Sequence, residues 1–292
     1  MELELKRGGR TARVETLGGE LVSYRDERGL EYIWGGDPAY WPGRNPLLFP
    51  IVGMLKEGKI RFDGREYAME RHGFARRREF TPAARGEDWV RLELRESAET
   101  LALYPYSFRL AVEQRLTDTG FSTAVTVANP GEGPLPFCLG AHTGFRCPLE
   151  AGERFEDYEL VFPERESCPT LLLRDGLLDR PAALPCLEDT DTLPLDYRWF
   201  DALDTLIFEG LRSRSVTLRS RKSGRGVRVS FDGFPMLAFW TMPGKKAPYL
   251  CIEPWHGCSA GTAEGPEFTN KAHCIVLAPG ESRTLAYRAD TL

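Results

Sequence analysis

One carboxylate in the C-terminal part of the chain lies at the end of an apolar run. Glu253 follows the run that starts at Tyr249, and Pro254, Trp255 and His256 come directly after it. Burying an isolated carboxylate costs on the order of several kcal/mol, so Glu253 must either face water or be paired. Proline removes a backbone donor and is typical of a strand edge or a bulge, which favours a position on the rim of a groove. Glu253 is therefore a candidate site residue.

Two other segments share a pattern in which one histidine is flanked by small residues and followed by phenylalanine. They contain His72 and His142, two of the four histidines in the chain. A carboxylate is ionised at neutral pH, whereas an imidazole with a pKa of ~6.5 can donate or accept a proton with little penalty. Glu253, His142 and His72 are therefore candidates for acid and base chemistry. A single histidine in a strand more often has a structural role, so each assignment competes with that interpretation.

The composition is that of a globular protein with enough apolar residues for a large core. Of 292 residues, 42% are hydrophobic and 28% are charged, and the net charge is -5. No basic patch indicates a nucleic-acid partner. Residues 1–7 lack the apolar core of a signal peptide, and no run approaches the ~18 apolar residues of a membrane helix. We expect a cytoplasmic protein without nucleic-acid or membrane partners, and the sequence makes no prediction of its oligomeric state.

The cysteines do not form a metal-binding or disulfide pattern. There are seven, an odd number, and they are scattered without a Cys-x-x-Cys pair or a cluster with histidine. We interpret them as free, mostly buried thiols. Cys138, Cys251 and Cys274 stand in apolar strand-like runs, where a small hydrophobic side chain is needed. No metal and no cofactor are predicted.

Apolar and polar residues alternate with period two along much of the chain, as in residues 89–95 and 121–127. Such segments are typical of half-buried strands, and signals such as Asp63-Gly64 indicate the turns between them. Strands at short spacing predict an all-β antiparallel sandwich, with residues 1–292 as a single domain. Residues 163–200, rich in Pro, Asp and Leu, are expected to form a long, loose excursion across the sheet.

Five motifs in order along the chain resemble the aldose 1-epimerase (galactose mutarotase) superfamily, and more closely its short bacterial branch. The resemblance covers nearly the whole chain and rests on Pro46-Leu-Leu-Phe-Pro-Ile-Val-Gly53, His72-Gly-Phe-Ala-Arg76, Gly140-Ala-His-Thr-Gly-Phe145, Asp204-Thr-Leu-Ile-Phe208 and Cys251-Ile-Glu-Pro-Trp255. It implies a β-supersandwich, in which two large antiparallel sheets pack face to face. It also implies that a sugar binds in a groove on one curved sheet.

The resemblance implies an activity that agrees with the residue types. Interconversion of the α and β anomers of an aldose needs one base on the anomeric hydroxyl and one acid at the ring oxygen. Glu253 would be the base and His142 the acid, with a monosaccharide as substrate and no cofactor. His72 would donate a hydrogen bond to a substrate oxygen where negative charge develops. Asp204 would bind sugar hydroxyls.

Further binding residues follow from the same resemblance. Trp255, with Phe74 or Phe145, would form an apolar wall against which the sugar stacks, although aromatic residues beside motifs are usually part of the core. Arg76 would either reach the groove or brace the loop that carries its motif. Asp204 has a structural alternative, because residues 199–204 contain two aspartates, Asp201 and Asp204, and either of them could have a capping role.

The chain departs from the family pattern at Met54, where relatives commonly have an arginine that contacts substrate. A sugar still needs a fixed donor, because loose positioning alone can cost about 10²-fold in rate. Lys56 shares the face of Met54 if the strand continues. However, a thioether at residue 54 indicates an apolar point in the groove. We therefore expect Arg44 or Arg71 to enter the groove from a neighbouring loop.

Three alternative functions stay open at the level of sequence. The first is epimerisation of a hexose 6-phosphate, for which arginines 44, 71, 76, 77 and 78 could bind the phosphate. The second is a carbohydrate-binding protein without activity on the same fold. The third is a metal enzyme that uses His72, His142 and Glu253 as ligands. The third ranks last because these residues lie in widely separated motifs.

Overall fold

Antiparallel strands make up most of the molecule. The computed structural model describes residues 1–292, with the side chain of residue 181 left aside. Strands account for 52% of the residues and helices for 8%. The first three strands form a separate small sheet, in the order β1 (Glu2–Arg7), β2 (Arg10–Glu15) and β3 (Glu20–Arg25). In β1 Leu3 and Leu5 are buried whereas Glu2, Glu4 and Lys6 are exposed, so one face covers the core.

The other strands follow in chain order, and most of them belong to one 15-stranded sheet. Their bounds are β4 Leu47–Leu48, β5 Lys59–Phe62, β6 Arg65–Ala68, β7 Thr81–Arg85, β8 Trp89–Arg95, β9 Arg109–Leu116, β10 Gly120–Ala128, β11 Leu135–Phe137, β12 Leu139–Ala141, β13 Thr143–Arg146, β14 Tyr158–Arg174, β15 Leu177–Pro194, β16 Thr205–Glu209, β17 Ser215–Ser220, β18 Gly226–Ser230, β19 Met236–Trp240, β20 Tyr249–His256, β21 Ile275–Leu277 and β22 Ser282–Thr291. Two short helices, α1 (Ala98–Leu101) and α2 (Tyr197–Leu203), interrupt them.

The prediction of an all-β fold with large antiparallel sheets is confirmed. The main path of the large sheet runs in the order β4-β12-β20-β19-β16-β14-β17-β18-β22-β10-β9-β8-β7. Two two-stranded sheets, β5-β6 and β11-β21, accompany it. The turn signal between β5 and β6 is used as expected. Asp63 and Gly64 both have positive φ, 50° and 76°, which the tight hairpin turn requires and which these residue types tolerate.

The region predicted as a loose excursion is ordered instead. Residues 158–194 form one long hairpin of β14 and β15, which turns at Asp175 and Gly176, and α2 follows it. The pairing of the two strands shifts register in four places. Because each shift changes which residues face the same side, the simple alternation that indicates a strand is lost. The prediction for residues 163–200 was therefore wrong in kind, although the segment does extend across the sheet.

The central strand of the site region is β20. It pairs with β19 on one side and with both β12 and β13 on the other. His142 occupies the single position between β12 and β13. Glu253 lies opposite Ala238 of β19, and its neighbour Ile252 lies opposite Thr143. This pairing brings His142 and Glu253 together although they are 111 positions apart in the sequence.

One main hydrophobic cluster extends through the sheets, and a smaller aromatic cluster lies beside it. The main cluster contains Phe74 and Phe145, which are 5% and 0% exposed. Within the described residues, no helix has both the length and the apolar character needed to cross a bilayer.

The loop that carries His72 is fixed by a close backbone contact, which yields a test. Gly73 has a φ of +69°, and a β-carbon there would lie 2.2 Å from the carbonyl oxygen of Phe49. Gly64 has a similar φ of +76° but free space around it. Gly64→Ala should lose about 1 kcal/mol of stability from backbone strain alone. Gly73→Ala should lose at least about 1 kcal/mol more, because overpacking against backbone is added.

Equilibrium urea unfolding of the two variants and the parent chain measures both losses. Equal losses would show that the contact between Gly73 and Phe49 can relax and that it does not fix the loop.

Candidate active site

A cavity of about 280 Å³ lies beside β20 and brings together most of the residues singled out in the sequence. Its lining includes Glu253, His142, His72, Asp204, Trp255, Arg71 and Arg76. They come from β20, the β12–β13 junction, the loop after β6 and the residue that follows α2. Gly53 and Pro46, which belong to the first of the five motifs, also line the cavity. Each of the five motifs therefore contributes at least one residue to the same cavity.

Glu253 and His142 face each other in the cavity. The His142 Nε2 atom lies 3.4 Å from Glu253 Oε1, and the Trp255 indole nitrogen donates a hydrogen bond of 3.2 Å to Oε2. Glu253 is only 1% exposed, so its carboxyl group lies in the cavity wall beside close partners and is not solvated on a rim. The expectation of a rim position was wrong, because partners on both carboxylate oxygens compensate for lost water. Trp255 therefore positions the carboxylate instead of forming a free stacking surface.

The orientation of His72 is set by the backbone. The Gly53 N–H donates a hydrogen bond of 3.1 Å to His72 Nδ1. A neutral imidazole that accepts at Nδ1 carries its proton on Nε2, so His72 can donate from Nε2. The rings of His72 and His142 are 5.6 Å apart in an edge-to-face arrangement. His72 also has a φ of +65°, which is uncommon outside glycine and marks a constrained backbone.

An aromatic wall that was not predicted covers the other side of His142. Trp41 stacks on the imidazole with ring centroids 4.8 Å apart, and Trp240 meets it edge-on at 5.5 Å. Both indoles line the cavity. Phe74 and Phe145, named in the sequence analysis as alternatives, are instead part of the main core. Trp41 and Trp240 are only partly buried, which agrees with side chains that face a ligand. In the sequence, the signal that could have identified Trp41 as a site residue is its position as a large aromatic residue in a loop rich in proline and glycine.

Asp204 lies immediately after α2 and has a φ of +63°. Its Oδ2 accepts a hydrogen bond of 2.8 Å from the hydroxyl of Thr205, and both residues line the cavity. The N-terminus of α2 is capped by Asp196, whose side chain accepts from the Arg198 N–H. Asp204 is the C-terminal cap residue of α2 through its backbone N–H, which donates to the Phe200 carbonyl at 2.8 Å. Its side chain does not cap the N-terminus of the helix, where Asp196 has that role.

The arginines separate into two groups. Arg71 lines the cavity, and one of its guanidinium nitrogens lies 2.8 Å from the Met54 sulfur. Arg76 lines the cavity and also braces the loop, because its guanidinium donates to the Arg71 carbonyl at 2.9 Å. Arg44 was expected as one of two candidates for the groove, but it does not line this cavity. Its Nε donates to the Gly35 carbonyl, and its Nη1 lies 3.9 Å from Glu15.

Two further arginines and one lysine considered from the sequence are engaged away from the cavity. Arg77 pairs with Glu70, and Arg78 pairs with Glu99. Lys56 donates to the Thr262 carbonyl at 3.2 Å. Of the five arginines considered for a phosphate, only Arg71 and Arg76 lie where a ligand in the cavity could reach them.

Burial sets the protonation of the acid and base pair. Loss of water raises the pKa of Glu253 well above its ordinary value; the Trp255 N–H opposes this and the charge of Asp204 adds to it. Burial lowers the pKa of His142 to about 3, and the charges of Arg76 and Arg71 contribute. Both shifts favour the uncharged forms, a carboxylic acid and a neutral imidazole. A proton can pass between Oε1 and Nε2, which lie 3.4 Å apart.

A metal ion could be considered at the same place. The potential ligand atoms of His142, Cys251 and Glu253 lie within 4.8 Å of one another. This set differs from the predicted alternative, in which His72 took the third position. Burial raises the pKa of the Cys251 thiol well above its ordinary value, whereas a metal needs the thiolate. A divalent ion at this place would therefore have to displace the proton of a buried thiol when it binds.

Fold and cavity together describe an antiparallel β-sheet protein whose cavity holds a carboxyl group opposite an imidazole. The chain belongs to the aldose 1-epimerase family, whose model matches residues 1–289. It is 41% identical over 295 aligned positions to the plasmid-encoded protein LacX of Lactococcus lactis, covering 98% of both chains, and 40% identical to the chromosomal LacX, again with 98% coverage of both. Family membership places the chain among carbohydrate epimerases.

Solved structures agree with this assignment. A galactose mutarotase related enzyme from Lactobacillus acidophilus has a TM-score of 0.95 at 26% identity, with 100% of this chain and 97% of that one covered. A galactose mutarotase-like protein from Lactobacillus casei has a TM-score of 0.93 at 27% identity, with both chains covered completely. The resemblance inferred from the five motifs is confirmed.

The protonation states of the two cavity histidines can be measured directly. Burial lowers the pKa of His72 well below 6.5, and that of His142 to about 3. Both imidazoles should therefore stay neutral as the pH falls from 8 to 5, and His72 should carry its proton on Nε2. The ¹⁵N chemical shifts of the ring nitrogens report both properties. Protonation of either ring with a midpoint near pH 6.5 would contradict this description of the cavity.

Proposed function

We propose that this protein is an aldose 1-epimerase that interconverts the α and β anomers of a monosaccharide. The observation that carries the proposal is the opposition of Glu253 and His142 at 3.4 Å in a cavity wall. A volume of about 280 Å³ lies just below the range of about 300–1,000 Å³ that is usual for small-ligand pockets. That size suits one sugar ring better than an oligosaccharide.

In the proposed reaction Glu253, in its carboxylate form, takes the proton of the anomeric hydroxyl. His142, in its imidazolium form, gives a proton to the ring oxygen. The bond between C1 and the ring oxygen breaks, and an open-chain aldehyde results. After rotation about the C1–C2 bond the two proton transfers run in reverse, and the ring closes on the other face. No net proton is gained or lost, and the pair returns to its starting state.

The pKa shifts favour these roles. A carboxylate whose pKa is raised is a stronger base, and an imidazolium whose pKa is lowered is a stronger acid. Burial is the largest cause of both shifts, since it penalises the charged form of each group. The charged pair needed for the reaction is a minor tautomer of the neutral pair, and the two forms contain the same number of protons. A bound sugar stabilises the charged form when its hydroxyl and ring oxygen replace water.

The remaining cavity residues have proposed binding roles. The Nε2 proton of His72 can hydrogen-bond an oxygen on which negative charge develops. Asp204 can accept hydrogen bonds from sugar hydroxyls. Trp41 and Trp240 offer the apolar surface against which a sugar ring packs. Trp255 holds the Glu253 carboxylate through its indole N–H.

A second candidate function is epimerisation of a hexose 6-phosphate, and one observation favours it. Arg71 and Arg76 both reach the cavity, and among the side chains that the structure describes neither forms an ion pair. The recorded side-chain contact of the Arg71 guanidinium is the Met54 thioether, a weak acceptor. A phosphate group could replace that contact with charge-assisted hydrogen bonds.

Replacement of the base tests the proposal. Glu253→Gln keeps shape and hydrogen bonding but removes basicity, so turnover should fall about 10²- to 10⁴-fold while sugar binding is largely kept. Anomer exchange is followed by polarimetry or NMR on a panel of free aldoses and hexose 6-phosphates. The assay contains a chelator, so that a metal-dependent reaction would be revealed by loss of activity in the parent chain. Glu166→Gln serves as the control, because Glu166 is equally buried, at 1%, but lies outside the cavity.

Unchanged exchange in Glu253→Gln would remove Glu253 from the mechanism. If the parent chain bound sugars but exchanged none of them, the carbohydrate-binding alternative would take the place of the enzyme.

Replacement of Arg71 tests whether the substrate is a free or a phosphorylated sugar. Loss of a charge-assisted hydrogen bond costs about 1.5–3 kcal/mol, or roughly 10- to 100-fold. Arg71→Ala should therefore raise the KM for a hexose 6-phosphate by about that factor, with a much smaller effect on a free aldose. Arg44→Ala is the matched control, since its guanidinium lies away from the cavity. Equal effects of Arg71→Ala on both kinds of sugar would show that Arg71 contacts the ring and not a phosphate.

A further inference from the structure

Two cysteines face each other across a pair of strands outside the cavity. In the sheet of β11 and β21, Leu135 lies opposite Leu277 and Phe137 lies opposite Ile275. Cys138 directly follows β11 and Cys274 directly precedes β21, so the same antiparallel register, continued by one step beyond the paired residues, makes the two cysteines opposed neighbours. The sequence analysis treated both as small hydrophobic residues in separate runs. Their opposition arises only from the pairing of segments that are far apart in the chain.

The distance between opposed strand positions suits a disulfide. Directly opposed residues in an antiparallel pair have Cα atoms about 4.5–5.5 Å apart. A disulfide needs about 4.4–6.8 Å. In the structure both thiols are free. The Cys138 side chain is the first cause that lowers the pKa of the Cys274 thiol, which agrees with two thiols that are close neighbours.

The surroundings make Cys274 the more reactive of the two. It is partly exposed, whereas Cys138 is fully buried. The hydrogen bond from Cys138 lowers the pKa of the Cys274 thiol, and the positive charge of Lys271 acts in the same direction. Lys271 is 3% exposed, and its ammonium has no hydrogen-bond partner within the described residues. Its recorded ion pair is with Glu264 at 3.5 Å. A buried cation beside sulfur stabilises the thiolate, which is the reactive form.

We propose that Cys138 and Cys274 are a redox-active pair that forms a disulfide when a hydroperoxide oxidises the protein. The Cys274 thiolate attacks one peroxide oxygen, the O–O bond breaks, and a sulfenic acid forms with release of water once the leaving oxygen is protonated. The Cys138 sulfur then attacks the Cys274 sulfur and loses its proton. The sulfenic oxygen leaves as a second water. Two thiols and one hydrogen peroxide thus give one disulfide and two waters.

The pair lies close in sequence to the proposed catalytic strands. Cys138 directly precedes β12, which leads to His142. Gly257, which follows β20, packs so tightly on Cys138 that a β-carbon there would lie 2.6 Å from its sulfur. A disulfide would therefore tie the segment that carries His142 to β21 without changing a cavity residue.

The test uses the full chain treated with hydrogen peroxide under native conditions. Two of the seven thiols should be lost to titration in denaturant, and the mass should fall by two hydrogen atoms per chain. A digest under non-reducing conditions should contain a linked peptide of Cys138 and Cys274, and dithiothreitol should restore both thiols. Circular dichroism recorded before and after oxidation checks that the fold is kept.

Single variants identify the order of the steps. Cys138→Ser should stop at a sulfenic acid on Cys274 that dimedone traps, and Cys274→Ser should leave Cys138 unoxidised. Cys147→Ser is the control, because Cys147 is also fully buried but is not opposed to another cysteine, and it should form the linked peptide as the parent does. The proposal is overturned if all seven thiols stay titratable, if the link joins another pair, or if it appears only in unfolded protein.

Discussion

The cost of burying a carboxylate controls the rest of the site. Moving a carboxylate from water into a medium of low dielectric constant carries an idealised penalty of about 20 kcal/mol, so a buried acid becomes neutral or acquires close partners. Glu253 has both solutions available, with a raised pKa and contacts to His142 and Trp255. The same loss of water keeps the neighbouring imidazole neutral. One main physical cause therefore displaces the pKa values of the two facing groups in opposite directions.

This arrangement requires the strands around β20 to be fixed. Seven of the eight residues of β20 are buried, and the strand is paired on both sides along most of its length. A carboxylate on such a strand cannot move toward water without breaking pairing. The junction at His142 lets β12 and β13 share β20 as a partner, and the imidazole lies between them. Backbone pairing thus provides the rigid support that acid and base chemistry needs.

The sequence was sufficient for the fold class and for several of the residues that line the cavity. Glu253, His142 and His72 could be recognised because polar groups interrupt apolar or small-residue runs, which local physics rarely permits without a partner. Trp41 and Trp240 were missed because an aromatic residue in a sequence can belong to a hydrophobic core as readily as to a binding site. The hairpin of β14 and β15 was missed because its register shifts remove the alternation that identifies strands. Neighbours across a sheet are determined by the pairing between strands. The sequence of a single strand does not specify that pairing.

At Met54 the chain departs from the family pattern, and this one change affects residues in two neighbouring segments. A thioether there does not leave an empty apolar point, because the Arg71 guanidinium lies against its sulfur at 2.8 Å. The hairpin tip is part of the same contact, since a β-carbon on Gly176 would lie 2.4 Å from the Met54 sulfur and 3.2 Å from Arg71. The φ of +77° at Gly176 also demands glycine. Met54, Arg71 and Gly176 therefore form one packed unit, in which a cation from a neighbouring loop reaches the cavity and the hairpin limits where its guanidinium can go.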